Sequence, residues 1–218
     1  MSKFTKPDFS QLDFAQARQL QEELRHRVVT HDDFGEIRFI AGLDVGFEGD
    51  VARGAAIVLS YPDLELVESA IARLPVHFPY VPGFLSFREV PVLLESLESL
   101  TITPDLILCD GQGIAHPRRF GLACHVGVTT NIPCIGVGKT RLIGTHEEPG
   151  NDKGDRSKLA HKQETIGAVL RTRTNTKPVY VSIGHKISLD SAIKKVLECC
   201  PKYRLPETTR LAHKLASR

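Results

Sequence analysis

Asp44 lies inside the apolar run IAGLDVGF, and Asp110 closes the apolar run DLILCD. A carboxylate in the middle or at the end of a buried strand costs several kcal/mol of desolvation unless something compensates it. A hard divalent cation is a natural compensator, because Mg²⁺ takes one or two carboxylates and keeps water for the oxygens of a phosphate. The plainer alternative is a strand-terminal aspartate that caps a turn or pairs with an arginine, and for either residue taken alone that alternative is preferred. Glu89 has a competing explanation of its own. Ser86-Phe87-Arg88-Glu89 reads as a capping box, with the Glu89 side chain reaching back to the Ser86 backbone. A metal role requires that side chain to turn inward instead.

Two further segments carry chemistry. In FPYVPGF (78–84) two prolines flank Tyr80-Val81, so the loop is stiff and presents an aromatic. Such a wedge can replace a base in a stack or wall a flipped base, at about 1–3 kcal/mol per contact. In DGQGIAHPRRFG (110–121), glycines let backbone approach a ligand closely, and His116, Arg118 and Arg119 can meet phosphates. Lys139, just past an apolar run, is another phosphate contact candidate. His213 is a lone helical histidine, more often a surface residue or a satisfied core group than a ligand. Gly138-Lys139-Thr140 ends like a phosphate loop, but Pro133 stands where its leading glycine belongs. Gly111-x-Gly113 lacks the third glycine of a dinucleotide fingerprint, so nucleotide binding is disfavoured.

The elements that must position these groups follow from periodicity. Residues 11–29 read as an amphipathic helix. Runs 37–47, 52–61 and 64–74, joined by short turns, read as an antiparallel meander. Helix 86–100, strand 105–110, helix 121–130 and strand 133–139 then alternate, the signature of parallel pairing. Residues 144–163 read as a long loop, a candidate mobile element. ETIGAVLRT and KPVYVSIGH look like a hairpin, a helix opens at Ser188 as N-cap, and a short basic helix, TTRLAHKLASR, ends the chain. This order fits an α/β protein with a ribonuclease H-like mixed β-sheet, an antiparallel meander followed by parallel strands, flanked by helices. A doubly wound sheet is the competing architecture.

Composition narrows the classes. The 218 residues, 41% hydrophobic and 25% charged, suit one globular domain over 1–218 and argue against a disordered chain. No apolar run approaches the roughly 18–20 residues of a membrane span, and charged residues interrupt the N-terminal stretch, so no signal-peptide core is read there. Five cysteines without a CxxC disfavour a disulfide framework, making a cytoplasmic location the expectation. The net charge of +2 hides an asymmetry: residues 1–137 carry 11 Lys/Arg against 18 Asp/Glu, and residues 138–218 carry 17 against 8. A basic third beside an acidic remainder suits a protein that holds metal on one side and a polyanion on the other.

Taken together, these blocks resemble the endonuclease V family. The resemblance runs from about Ile40 to Ser217. It rests on AGLDVGFEGD, YPDLELVE, PYVPGFLSFREVP, PDLILCDGQGIAHPRRFGLACHVG, IPCIGVGKTRL, SIGHKISLDSA and YRLPETTRLA. It implies the ribonuclease H-like fold and a DNA-repair phosphodiesterase dependent on Mg²⁺, with Mn²⁺ able to substitute. Such an enzyme recognises deoxyinosine in single- or double-stranded DNA and hydrolyses the second phosphodiester bond 3′ to it, leaving 3′-hydroxyl and 5′-phosphate ends. By motif, Asp44, Glu89 and Asp110 become metal ligands and His213 completes the site. Tyr80 becomes the wedge, with Pro82 beside it. Gly83, Gly111, Gly113 and Gly136 offer backbone groups to hypoxanthine, with His116 and Lys139 near the phosphates or the metal. Gln112 and Gly138 depart from the family pattern, where histidine and alanine are common, and imply tuning of substrate preference. The rivals are an inosine-specific RNA nuclease, a structure-selective nuclease for loops or flaps, and a non-catalytic nucleic-acid-binding module. A monomer is the default for a small nuclease.

Overall fold

The computed structural model describes residues 3–217. Met1, Ser2 and Arg218, at the outer ends of the N-terminal stretch and the last expected helix, lie outside them. After α1 (Phe14–Leu24), the expected meander forms as β1 (Phe39–Glu48), β2 (Val51–Ser60) and β3 (Leu66–Pro75), paired antiparallel in turn. Helix α2 (Leu85–Glu98) leads to β4 (Leu106–Cys109), and α3 (Leu122–Thr130) leads to β5 (Cys134–Gly138). Both β1–β4 and β4–β5 pair in parallel, as the strand–helix alternation requires. Strands β6 (Arg156–His161), β7 (Glu164–Leu170) and β8 (Val179–His185) are antiparallel, and helices α4 (Leu189–Glu198) and α5 (Glu207–Ala216) follow. The sheet order is β3-β2-β1-β4-β5-β8-β7-β6.

Alternation along the central strands sends residues to two separate cores. Ala41 and Leu43 of β1 and Ile107 and Cys109 of β4 join a cluster with Phe87, Leu93 and Leu97 of α2 and Val126 of α3. Ile40, Leu106 and Leu108 point the other way, to Ile193 and Val196 of α4 and Ala212 of α5. Helix α5 sits unusually close to β1. A Cβ built at Gly42 would lie 2.2 Å from the Thr208 carbonyl, and one at Gly46 would lie 2.4 Å from the Ala216 oxygen. Four residues of strand span about 13 Å and eight residues of helix about 12 Å, so α5 lies along β1 over this whole stretch. Gly42, Asp44 and Gly46 share one face of β1, and the helix therefore passes over Asp44.

Two expectations need correction. The first helix is shorter than 11–29. It starts where Asp13 accepts from Gln16 N–H (2.8 Å) and the Gln16 side chain accepts in return from Asp13 N–H (3.0 Å), and it tightens into a 3₁₀ turn over Arg25–Arg27. Residues 144–163 are not all loop: β6 lies within them and pairs with β7 at the sheet edge. Its sequence, RSKLAH, buries only Leu159, so no period-2 pattern marks it. The preceding loop is held from within. Buried Arg171 donates to the carbonyls of Pro149 (3.0 Å), Gly150 (2.9 Å) and Thr176 and to the Glu148 carboxylate (3.0 Å). These bonds use the planar donor fork to satisfy a segment that has no ladder of its own.

The close seat of α5 gives a direct prediction. Gly42→Ala forces a methyl into helix backbone rather than into a flexible side chain, and is expected to destabilise the protein by about 2–3 kcal/mol in urea unfolding. The same change at Gly49, in a turn with nothing within 4 Å of its Cβ position, lacks this steric cost, though its φ of +56° adds some strain.

Candidate active site

Leu43 and Cys109 are the last paired residues of the parallel β1–β4 ladder, so Asp44 and Asp110 emerge side by side from neighbouring strands. The Asp110 N–H donates to the Leu43 carbonyl at 3.3 Å, which fixes this juxtaposition. Asp44 points to the α5 face, where its Oδ2 meets His213 Nδ1 at 2.7 Å. Asp110 pairs with the Lys139 ammonium at the end of β5. Burial, then the charge of Asp110, raises the Asp44 pKa above the usual carboxylate range, while His213 and Lys139 oppose that shift. One ligand atom each from Asp44, Asp110 and His213 lie within 4.8 Å of one another. The two carboxylates are oxygen donors suited to a hard divalent ion such as Mg²⁺ or Mn²⁺, while the His213 imidazole is engaged with Asp44.

Glu89 approaches from α2 and stands outside that trio. It is not a capping residue. Helix α2 begins at Leu85 with Phe84 as N-cap and no side-chain cap, so Ser86 is already helical, and its hydroxyl lies 3.1 Å from His125 Nδ1. The turn at Gly83, with φ of +83°, starts the helix earlier than the Ser-x-x-Glu spacing implies. Glu89 is left 9% exposed, and its pKa is pushed up to about 8 by burial first, then by the charges of Asp44 and Asp110, against the opposing charge of Arg88. A buried acid facing two others is a group for which a bound cation would substitute.

Beside this acidic centre is a pocket of about 370 Å³ between the loop that carries Tyr80 and the loops following β4 and β5. Tyr80 is 71% exposed at its rim. Of the residues expected to contact substrate, Pro82, Gly83, Gly111, His116 and Lys139 line it, and Gly113 and Gly136 do not. Those two glycines form the packing beneath its floor. A Cβ at Gly113 would lie 1.9 Å from the Ile183 oxygen, one at Gly136 would lie 2.4 Å from Gly113 N, and Gly113 N–H is taken by Ser182 Oγ at 2.8 Å. His116 is also internally engaged. Its Nε2 donates to the Gly83 carbonyl (3.1 Å) and its Nδ1 accepts from Arg118 N–H (3.3 Å). Burial and the Arg118 charge hold it neutral, with a pKa down to about 4.

Gln112 and Gly138 prove to be one feature. A methyl at 138 would fall 2.1 Å from Gln112 Nε2, so the longer side chain occupies the space that an alanine would claim. Gln112 Nε2 donates to the Thr140 carbonyl (3.0 Å) and Arg204 Nη2 donates to the Lys139 carbonyl (3.0 Å), so the Lys139 loop is braced from both sides. Sequence reasoning missed Arg204 as a positioning group. Its place in YRLPE, within a matched block, was the available signal.

The eight-stranded mixed sheet has the ribonuclease H-like fold, with Asp44 and Asp110 at the adjacent ends of two of its parallel strands. The model of the endonuclease V family matches residues 22–214. A curated endonuclease V from Trichormus variabilis is 61% identical over 201 residues, covering 91% of each chain. The crystal structure of endonuclease V from Streptomyces avermitilis superposes with a TM-score of 0.93 at 44% identity, over 97% of this chain and 95% of that one. The Ciona intestinalis enzyme, solved with DNA containing an inosine followed by a ribo-adenosine, gives 0.83 at 30% identity, over 93% and 95%. The chain belongs to the endonuclease V family and is an endonuclease.

The state of Glu89 can be read without substrate. Its proton is held more tightly folded than unfolded, so the metal-free protein loses stability as the pH rises from the ordinary glutamate range through about 8. The melting temperature of metal-free protein is expected to fall across that window, and Glu89→Gln is expected to flatten the slope. An unchanged slope in Glu89→Gln would remove the buried acid as its origin.

Proposed function

We propose that this endonuclease uses Mg²⁺, with Mn²⁺ able to substitute, to hydrolyse the second phosphodiester bond 3′ to a deoxyinosine in single- or double-stranded DNA, leaving 3′-hydroxyl and 5′-phosphate ends. The observation that carries this reading is the paired emergence of Asp44 and Asp110 beside a base-sized pocket rimmed by exposed Tyr80. The inosine-containing DNA held by the Ciona relative supports the choice of substrate.

Asp44, Asp110 and Glu89 would hold the cation, with His213 orienting Asp44. The ion, when bound, supplies an activated water and offsets charge on the leaving 3′-oxygen. The chain's own residues do the rest. Lys139 pairs with Asp110 and would be free to meet a phosphate oxygen if a cation took over the neutralisation of that carboxylate. Tyr80 fills the gap left in the strand when the base swings out, which offsets part of the few kcal/mol of unstacking. Backbone groups around Gly83 and Gly111 meet hypoxanthine at the pocket wall. No side-chain nucleophile is required.

The test is cleavage of an end-labelled strand carrying one deoxyinosine, with Mg²⁺ and with EDTA, beside an adenine control. A metal-dependent nick at the second bond supports the reading; cleavage indifferent to EDTA or to the base removes it. The ribose that follows the inosine in the Ciona complex favours running an RNA strand in parallel. Asp44→Asn and Asp110→Asn are expected to abolish cleavage while circular dichroism and DNA binding persist, and full activity in either would cancel the ligand assignment. Tyr80→Ala is expected to weaken retention of the inosine strand by about 1–3 kcal/mol, measured by fluorescence anisotropy of labelled DNA.

A further inference from the structure

The loop that carries Tyr80 has a support the acidic centre does not use. Gln21 sits on α1, a helix whose other residues are mostly exposed or half-buried, yet it is fully buried. A buried carboxamide is costly unless its donors and acceptor are matched, and these are. Gln21 Nε2 donates to the Gly83 carbonyl (3.1 Å) and the Phe120 carbonyl (3.3 Å), and its Oε1 accepts from Arg118 Nε (2.5 Å). Arg118 Nη2 also donates to the Gly83 carbonyl (2.5 Å), and His116 Nε2 makes a third contact there (3.1 Å). The Arg118 guanidinium lies 4.3 Å from the centre of the Phe84 ring.

Three side chains from two distant segments therefore converge on one carbonyl with two lone pairs. That carbonyl belongs to the residue with positive φ in the turn closed by Phe84 N–H to Val81 O at 3.0 Å. Fixing its peptide plane fixes the path of Tyr80, Val81 and Pro82, because the prolines leave few other rotations in the loop. Nothing in the chemistry of the acidic centre needs Gln21. Its place is explained by the loop alone.

We propose that Gln21 is a positioning residue, which acts through Arg118 and His116 to lock the Gly83 carbonyl and so hold Tyr80 in the attitude that engages a nucleic-acid strand. The inference rests on the proposed function for its kinetic consequence, but its structural half can be read without substrate. It assigns to α1 a part in strand engagement, although the helix contributes nothing to the acidic centre.

The chain contains no tryptophan, so Tyr80→Trp installs a single reporter on the loop. In that background Gln21→Met keeps the buried volume and removes the hydrogen bonds. The lock predicts lower steady-state anisotropy of the reporter without DNA, and a KM for the deoxyinosine strand raised about tenfold while kcat stays within about twofold, the split expected when strand engagement and not the chemical step is loosened. Unchanged anisotropy with unchanged KM overturns the proposal. So does a lower melting temperature with neither quantity moved, which would leave Gln21 a purely structural residue. If the protein with Tyr80 in place cleaves no inosine strand, the functional reading fails, and the anisotropy comparison still decides the lock. Should Gln21→Met not fold, Arg118→Lys keeps a positive charge but loses the fork that spans Gln21 and Gly83, and the same two measurements apply.

Discussion

Three carboxylates brought together at the ends of neighbouring strands and one helix repel one another, and much of the surrounding structure answers that repulsion. Asp44 and Asp110 are forced side by side by the parallel register of β1 and β4, and neither can move away without breaking the ladder. Lys139 and His213 each place a donor on one of the pair. Among the described residues Glu89 has no such partner, and burial beside the two aspartates pushes its pKa up to about 8. A buried carboxyl with its pKa raised to about 8 lowers stability at neutral pH, and under the proposed function a bound cation would offset that cost.

The elements that deliver these groups are themselves held by close backbone contacts and by side chains that reach carbonyls. Helix α5 brings His213 to Asp44 because Gly42 and Gly46 leave no Cβ between strand and helix. The Lys139 loop is held by Gln112 and Arg204, the Tyr80 loop by Gln21, His116 and Arg118, and the 148–150 segment by Arg171. Loop carbonyls without a ladder partner are satisfied by long polar side chains. The loops around the pocket thereby acquire a fixed shape while the pocket stays open to a ligand.

Much of this is legible in the sequence. The two aspartates stood out because each interrupts or ends an apolar run, and the meander and the strand–helix alternation followed from periodicity. Glu89 was ambiguous for a physical reason: a capping box and an inward-facing ligand share the same spacing, and only the start of the helix at Leu85 separates them. Strand β6 was hidden because an edge strand that buries one residue has no pattern to show. Gly113 and Gly136 are packed tightly and do not line the pocket, and a glycine admitted for close packing and one admitted for a ligand look alike in a sequence. Gln21 carried no signal, since a glutamine on a polar helix is ordinary until its burial is known.

Asp44 and His213 are 169 residues apart, and the helix that bears the second packs on the strand that bears the first. During synthesis the chain emerges from the ribosome in order, so β1 waits, with Gly42 and Gly46 uncovered, until every strand and helix between it and α5 has been made. The two aspartates are therefore made long before the helix that brings His213 to Asp44. An enzyme that cuts nucleic acid is thus made beside RNA-rich machinery with its centre incomplete until α5 has emerged and packed on β1.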